Sequence, residues 1–436
     1  MTSVRPNFKA LLPFFVFIFT FLSVGTIQDD FYALPAPIAV IAGIFVAFII
    51  FKQPINTKID ILLKGCGDSK ILTMCLIYLL AGAFATVTKA TGSVDSIVHL
   101  GMDLIQVEYI YLGVFVIAAF LSISTGTSVG SIVALAPIVV GFADAGNFSL
   151  AILCGALLGG AMFGDNLSVI SDTTIAATQS LEVEMSDKFK ANIKIAIPAA
   201  LLTIGVLVFQ GFLLETQPSE TESQPYSILK ISPYLMVILL SVIGLNVFVT
   251  LFLGIIIGGV LGVIYADFSI IEYTQLIYTG FTGMTEIFLL SLLTGGLAAL
   301  VAYNGGIEFI LIKVKSLIKS MKTAQFGIAV LVSSINVAVA NNTVAIIISG
   351  SIAKSINDEY ALENKQTASI LDVFACITQG FLPYGAQVLM ILSFTKGAIS
   401  YIDLVTNTWY LILLLISSIL FIAFRKTHQH NPKPIM

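Results

Sequence analysis

Long apolar runs separated by short polar stretches dominate this chain. Residues 11–25, 34–51, 71–88, 195–214 and 411–424 are each nearly free of charge. Crossing the hydrocarbon core of a bilayer takes roughly 20 such residues, fewer where a segment ends in the interface. One run of this kind reads equally well as a buried core helix, but a dozen in one chain do not. The pattern therefore predicts an all-α polytopic membrane protein. The first run follows Arg5 and Lys9 and has a small-x-small sequence at Ser23–Gly25, as a cleaved signal peptide would. It is read here as a retained span, because a cytoplasmic start agrees with the charges that follow.

Those charges sort by side. Lys52, Lys58, Lys64 and Lys70 fall in one connection, Lys188, Lys190 and Lys194 in another, Lys313, Lys315, Lys319 and Lys322 in a third, and Arg425–Lys433 in the tail. Basic loops stay on the cytoplasmic side. Asp29 and Asp30, the stretch 94–108 and the acidic loop 215–224 are assigned to the other side. One path satisfies all of these, with about 12 full spans and two re-entrant hairpins, or about 14 crossings. It places both termini in the cytoplasm and the protein in the cell membrane.

Self-comparison divides the chain in two. Gly82 and the following residues to Asp95 match Gly295 to Glu308 at a shift of 213, and Gly67 meets Gly280 at the same shift. Farther on the shift becomes 216, pairing Thr127 with Thr343 and Gly164 with Gly380. The lysine topology gives each pair opposite directions through the membrane, which is the pattern of inverted-topology repeats. The expected organisation is a first repeat over 1–214, an extracytoplasmic linker over 215–230, and a second, inverted repeat over 231–436.

Carriers of this type bind near the midplane, where broken helices face one another. Polar, glycine-rich interruptions stand at matching places. Ser122–Ser131 and Gly164–Thr174 interrupt the first half; Ser333–Thr343 and Gln379–Gln387 interrupt the second. The first half supplies Asp165 and Asp172 inside an otherwise apolar segment, beside Asn166, Ser168, Ser171, Thr173 and Thr174, with Thr125, Thr127 and Ser128 upstream. A carboxylate in hydrocarbon needs a proton, a partner or a cation, and hard cations choose oxygen ligands. Such a carboxylate also exchanges a proton for a sodium ion. The structural alternative is helix capping, for which Asp172 and Asp165 are both suited. At the shift of 216, Asp165 becomes Phe381 and Asp172 becomes Val388. The second half instead offers Asn341, Asn342, Thr343, Gln379, Tyr384 and Gln387, hence neutral ligation. Two further acids, Asp372 and Glu286, are candidate proton relays, each weighed against a helix-terminal or interfacial role. Gly155, Gly159 and Gly160 read as close-packing contacts.

Composition narrows the function classes. The chain is 57% hydrophobic and 11% charged, against about a quarter charged in soluble domains. Its four cysteines are dispersed without a CxxC, which indicates neither a disulfide framework nor a zinc site. There is no HExxH and no Walker loop, and His99, His428 and His430 sit in a loop or the tail, so an enzyme is not expected. Neither a cofactor nor a nucleic-acid partner is indicated.

At Ser124-Thr-Gly-Thr-Ser128 and at Phe163-Gly-Asp-Asn-Leu-Ser-Val-Ile-Ser-Asp-Thr-Thr174 the chain resembles the NhaC-type sodium/proton antiporter family, within the ion-transporter superfamily of inverted-repeat carriers. It departs from the family pattern at Val129, Ser131 and Val169. The resemblance implies transport-site roles for Asp165, Ser168, Ser171, Asp172, Thr173 and Thr174. The leading expectation is secondary active sodium/proton antiport. The alternative is sodium-coupled transport of a small organic solute such as an amino acid, since some relatives look like carriers of that kind. Against dicarboxylates, both arginines, Arg5 and Arg425, are terminal, which leaves no intramembrane guanidinium to clamp a carboxylate. Partners are the lipid bilayer, the cation and, in the alternative, the solute; a homodimer is compatible with this reading.

Overall fold

The computed structural model describes residues 5–27, 34–146, 148–214, 226–265 and 267–424. Asp29 and Asp30, the loop 215–224, and the tail with Arg425, His428 and His430 lie outside the described residues. In the first half run α1 (Leu12–Ile27), α2 (Ala36–Ile50), α3 (Ile55–Cys66), α4 (Ser69–Ala90), α5 (Ser93–Leu104), α6 (Ile110–Thr125), α7 (Ser128–Ala145), α8 (Leu150–Leu167), α9 (Asp172–Leu181) and α10 (Met185–Phe212). The second half follows the same order. It has α11 (Ile228–Val242), α12 (Val247–Ile264), α13 (Ile270–Gly283), α14 (Thr285–Tyr303), α15 (Gly306–Lys315), α16 (Met321–Val339), α17 (Asn342–Glu359), α18 (Asn364–Phe381) and α19 (Ala386–Thr395). Among the described residues, α10 of the first half is matched in the second by α20 (Tyr401–Asn407) and α21 (Trp409–Phe424).

Among the described residues, nine segments are long and apolar enough to cross a membrane, or ten if the bent pair α20–α21 is one span; three shorter apolar helices accompany them. Two of the nine, Leu150–Leu181 and Asn364–Thr395, are each a pair of helices joined at a break. Both are 78% buried, the highest share among the spans, and they form the centre of the bundle. At the periphery Phe19, Phe45, Leu201, Phe209 and Ile264 are more than half exposed. In a bilayer such side chains are solvated by lipid tails as well as they would be by protein.

Local chemistry sets the helix ends. Asp68, Thr127, Ser149, Ser171, Asn246 and Asn341 are N-caps whose side chains accept from the first turn, satisfying donors that the helix leaves free. The three residues of the first half described with positive φ are Gly92, Gly126 and Glu182; Gly305, Ala340 and Lys396 have positive φ 213 or 214 positions later. The recurrence therefore extends from sequence to backbone conformation.

Small residues fix how the halves interlock. A Cβ on Gly82 of α4 would strike the carbonyl of Gly280 on α13, and one on Gly65 of α3 would lie 2.5 Å from the carbonyl of Gly295 on α14. Each short helix before a long span thus packs on the long span of the other half. Inside the bundle, Cβ atoms on Gly155, Gly159 and Gly160 would meet Asn407, Tyr410 and Phe115. These three are packing contacts, as expected, and they let neighbouring helices approach α8 closely.

Candidate functional site

A cavity of about 310 Å³ opens where the broken helices meet. Four helix N-termini line it: Ser128 of α7, Ser171 and Asp172 at α9, Asn341 and Asn342 at α17, and Ala386 and Gln387 at α19. Asp165 of α8 and Gln379 of α18 complete the wall, and α4 covers it with Ser69 to Ile77.

The breaks arise locally. Gly126 turns left-handed after α6, and Thr127 then caps α7 by accepting from Gly130 N at 3.3 Å. Ala340 and Asn341 repeat that arrangement, with Asn341 accepting from Val344 N at 2.9 Å. The link from α8 to α9 is extended at Ser168 and Ser171. Ser168 donates to the Ile123 carbonyl at 2.9 Å, and Thr174 donates back to the Ser168 carbonyl at 2.8 Å. Side-chain hydroxyls thereby replace the missing helical hydrogen bonds, the condition for irregular backbone at membrane depth.

Asp165 is the focus. It is 5% exposed and accepts two hydroxyl hydrogen bonds, from Ser128 at 2.8 Å on Oδ2 and from Ser171 at 2.5 Å on Oδ1. Ser171 also contacts the Thr173 hydroxyl at 2.9 Å. Gln387 Nε2 donates to Ser128 Oγ at 3.0 Å, and Gln379 Nε2 donates to Gln387 Oε1 at 3.1 Å. One polar chain thus runs from the amides of the second half through a serine to the carboxylate of the first.

The other expected residues divide into those at the cavity and those away from it. Asp172, Thr173, Thr127, Ser128, Asn341, Asn342, Thr343, Gln379 and Gln387 line it with Asp165 and Ser171. Asp172 is exposed and is the first residue of α9, the N-cap being Ser171. Asn166, Ser168 and Thr174 are buried behind the wall. The Thr125 hydroxyl bonds within its own turn, to Thr127. Tyr384 donates to the Val337 carbonyl at 2.8 Å and packs against Phe14 and Phe17. Glu286 lies apart: Oε1 accepts from Ala36 N at 3.2 Å, at the start of α2, where a negative charge complements the helix N-terminus.

Two buried polar residues are not marked by the sequence pattern. Lys188, which groups in sequence with loop lysines, is 1% exposed, and its ammonium lies 2.6 Å from Asp372 Oδ2. Asn192, one turn on, is fully buried. The available signal was rotational: Lys188 and Asn192 share a helical face with Ala191 and Ile195, whereas Lys190 and Lys194 point outward.

A larger cavity of about 900 Å³ lies at the other ends of the same helices. It is lined by Thr86 and Lys89 of α4, Pro137 and Asp144 of α7, and Ser393 of α19. Between the two along these helices, Tyr78, Ile132, Val133 and Met390 are completely buried.

A polytopic helical bundle with paired helix breaks around a buried carboxylate is the architecture of a membrane transporter. Comparison with known proteins gives the family: the sequence model of the Na+/H+ antiporter family matches residues 7–212 and again 213–426. This chain belongs to that family. It is 24% identical over 308 residues to the malate-2H(+)/Na(+)-lactate antiporter of Bacillus subtilis, covering 66% of this chain and 64% of that protein. It is 23% identical over 421 residues to the arginine/ornithine antiporter ArcD of Halobacterium salinarum, covering 88% and 85% of the two chains. It is also 23% identical over 390 residues to the Na(+)/H(+) antiporter NhaC of Bacillus subtilis, covering 81% and 83%. The chain spans under two thirds of the first of these relatives.

Proposed function

We propose that this protein exchanges sodium for protons across the cell membrane, with Asp165 as the exchanging group. The observation that carries this reading is the cradle of Asp165: a buried carboxylate at a helix break, held by two hydroxyls and open to a polar cavity. Removed from water, the carboxylate needs a compensating cation, and sodium and a proton supply one in turn. A hydroxyl carries one donor and two acceptor lone pairs. Without sodium, Ser128 and Ser171 donate to Asp165; with sodium bound, the same hydroxyls rotate and ligate it. Thr173, Asn341, Asn342 and Asp172 supply further oxygens at the wall.

Alternating access agrees with the two cavities at opposite ends of α4, α7 and α19, separated by a layer of completely buried side chains. We read 1–214 and 231–436 as inverted repeats joined by the linker 215–230. The recurring element order, the matched left-handed residues and the double family match support this organisation. The grouping of exposed lysines supports cytoplasmic termini.

The test is a sodium pulse delivered to proteoliposomes holding an imposed pH gradient, with no organic solute present. The pulse is expected to collapse the gradient. A response that appears only after addition of an amino acid or a hydroxy acid overturns sodium/proton exchange in favour of solute-coupled transport.

A further inference from the structure

Behind the wall of the cavity lies a second polar cluster that the exchange reaction does not use. The Lys188 ammonium is held by three oxygens: Asp372 Oδ2 at 2.6 Å, Thr174 Oγ1 at 2.6 Å and the Asn166 carbonyl at 3.1 Å. Asn192 Nδ2 donates to two of the same atoms, the Asn166 carbonyl and Asp372 Oδ2, both at 2.8 Å. All five residues are at most 2% exposed. Four helices meet here: the end of α8, the first turn of α9, α10 and α18.

The placement is specific. Asn166 directly follows Asp165 and lies in the last turn of α8, whose terminal carbonyls have no helical partner and favour a cation. Thr174 also closes the link between α8 and α9 through the Ser168 carbonyl. Lys188 therefore grips both sides of the break whose two ends supply Asp165 and Ser171. Asp372 ties that grip to α18, the helix that carries Gln379. The two charges cancel, so the net buried charge at this break is that of Asp165 alone. Burying such a pair brings little stability over apolar side chains of the same volume, so stability is a weak reason for its presence.

We propose that the Lys188–Asp372 pair is a positioning device for the cation site: it holds the α8–α9 break in register with α18 and takes no part in exchanging the cation. This rests on Asp165 being the exchanging group, and it gives Asp372 a role other than proton relay. The distance from the pair to the cavity is one residue along the backbone, from Asn166 to Asp165. Loss of the pair is thus read as looser cation binding, with turnover at saturating sodium preserved.

The test compares sodium-dependent proton flux in proteoliposomes for wild type, Lys188→Arg, Asn192→Ala, the double variant Lys188→Met with Asp372→Leu, and Asp165→Asn. The double variant removes both charges together, because removing one leaves the other buried and unpaired. It is expected to raise the KM for sodium about tenfold or more while keeping maximal flux within about threefold. Its pH profile is expected to match wild type, and Lys188→Arg to recover part of the affinity. A wild-type KM in the double variant overturns the proposal in favour of simple packing. A lost maximal flux at unchanged KM, or a displaced pH profile, overturns it in favour of proton handling by the pair. If the double variant does not fold, Asn192→Ala decides, since it removes only a neutral donor to the same oxygens: a raised KM supports positioning and an unchanged KM overturns it. Exchange surviving in Asp165→Asn removes the underlying reading instead, so the two failures are separable.

Discussion

The α8–α9 break and the α18–α19 break occupy equivalent places in the two halves and face one cavity, yet they are chemically different. The first places a carboxylate, Asp165, between two serine hydroxyls. The second places two glutamines in line, with Gln379 donating to Gln387 and Gln387 to Ser128. The helices around the two breaks repeat at a spacing of 214, not the 216 read from the sequence, so the counterpart of Asp165 is Gln379 and that of Asp172 is Ala386. One backbone arrangement, used twice, thus holds a charge on one side and orients hydroxyls on the other. A second buried carboxylate in the same cavity would repel the first and need a second cation. The neutral amides keep the cradle polar at no such cost.

The comparison can be broken most directly at its charged side. Asp165→Asn keeps the size of the side chain and removes its charge, so sodium-driven proton flux in proteoliposomes is expected to vanish while the protein remains folded and inserted. Asp172→Asn is expected to reduce flux only in part, because Asp172 is exposed at the cavity wall. Equal losses in the two variants would restore a two-acid exchange and undo the focus on Asp165. A smaller effect is expected at the hydroxyl between the halves. Ser128 gives up its hydrogen bond to Asp165 and ligates sodium on binding, so Ser128→Ala removes one oxygen ligand of the ion and is expected to raise the KM for sodium while exchange persists. Gln387→Ala removes a neutral bond worth about 1 kcal/mol, a change of about fivefold; a loss as large as that of Asp165→Asn would make the halves functionally equal. The smallest effect is expected at Glu286→Gln. This residue caps α2 remotely from the cavity, so unchanged exchange with slightly lower thermal stability is the expected outcome, and a changed pH profile would return it to proton transfer.

Much of this organisation is legible in the amino-acid sequence alone. Apolar runs predict helices because partition between water and lipid is decided over some 20 consecutive residues. Gly164–Thr174 and Gln379–Gln387 mark breaks because polar and glycine-rich segments cannot continue a lipid-facing helix. The glycines of α8 read as packing contacts on the same local grounds, and the antiporter family is legible in the motif ending at Thr174.

The ranking of the acids is not legible in the same way. Asp165 and Asp172 look alike in sequence, each beside serine and threonine, and only the packing of α7 and α19 against α8 makes one buried and the other exposed. Helical spacing puts Lys188 on the face of Ala191 and Ile195, away from Lys190 and Lys194, but only the packing of α10 against α18 shows that this face meets Asp372. Glu286 needs the neighbouring α2 before its role as a cap can be assigned. Hydropathy, helix breaks and caps depend on neighbours within a turn or two, so the chain alone determined them. Which charge is buried and what it touches depends on how helices far apart in sequence rotate and pack, and only the tertiary structure decided that.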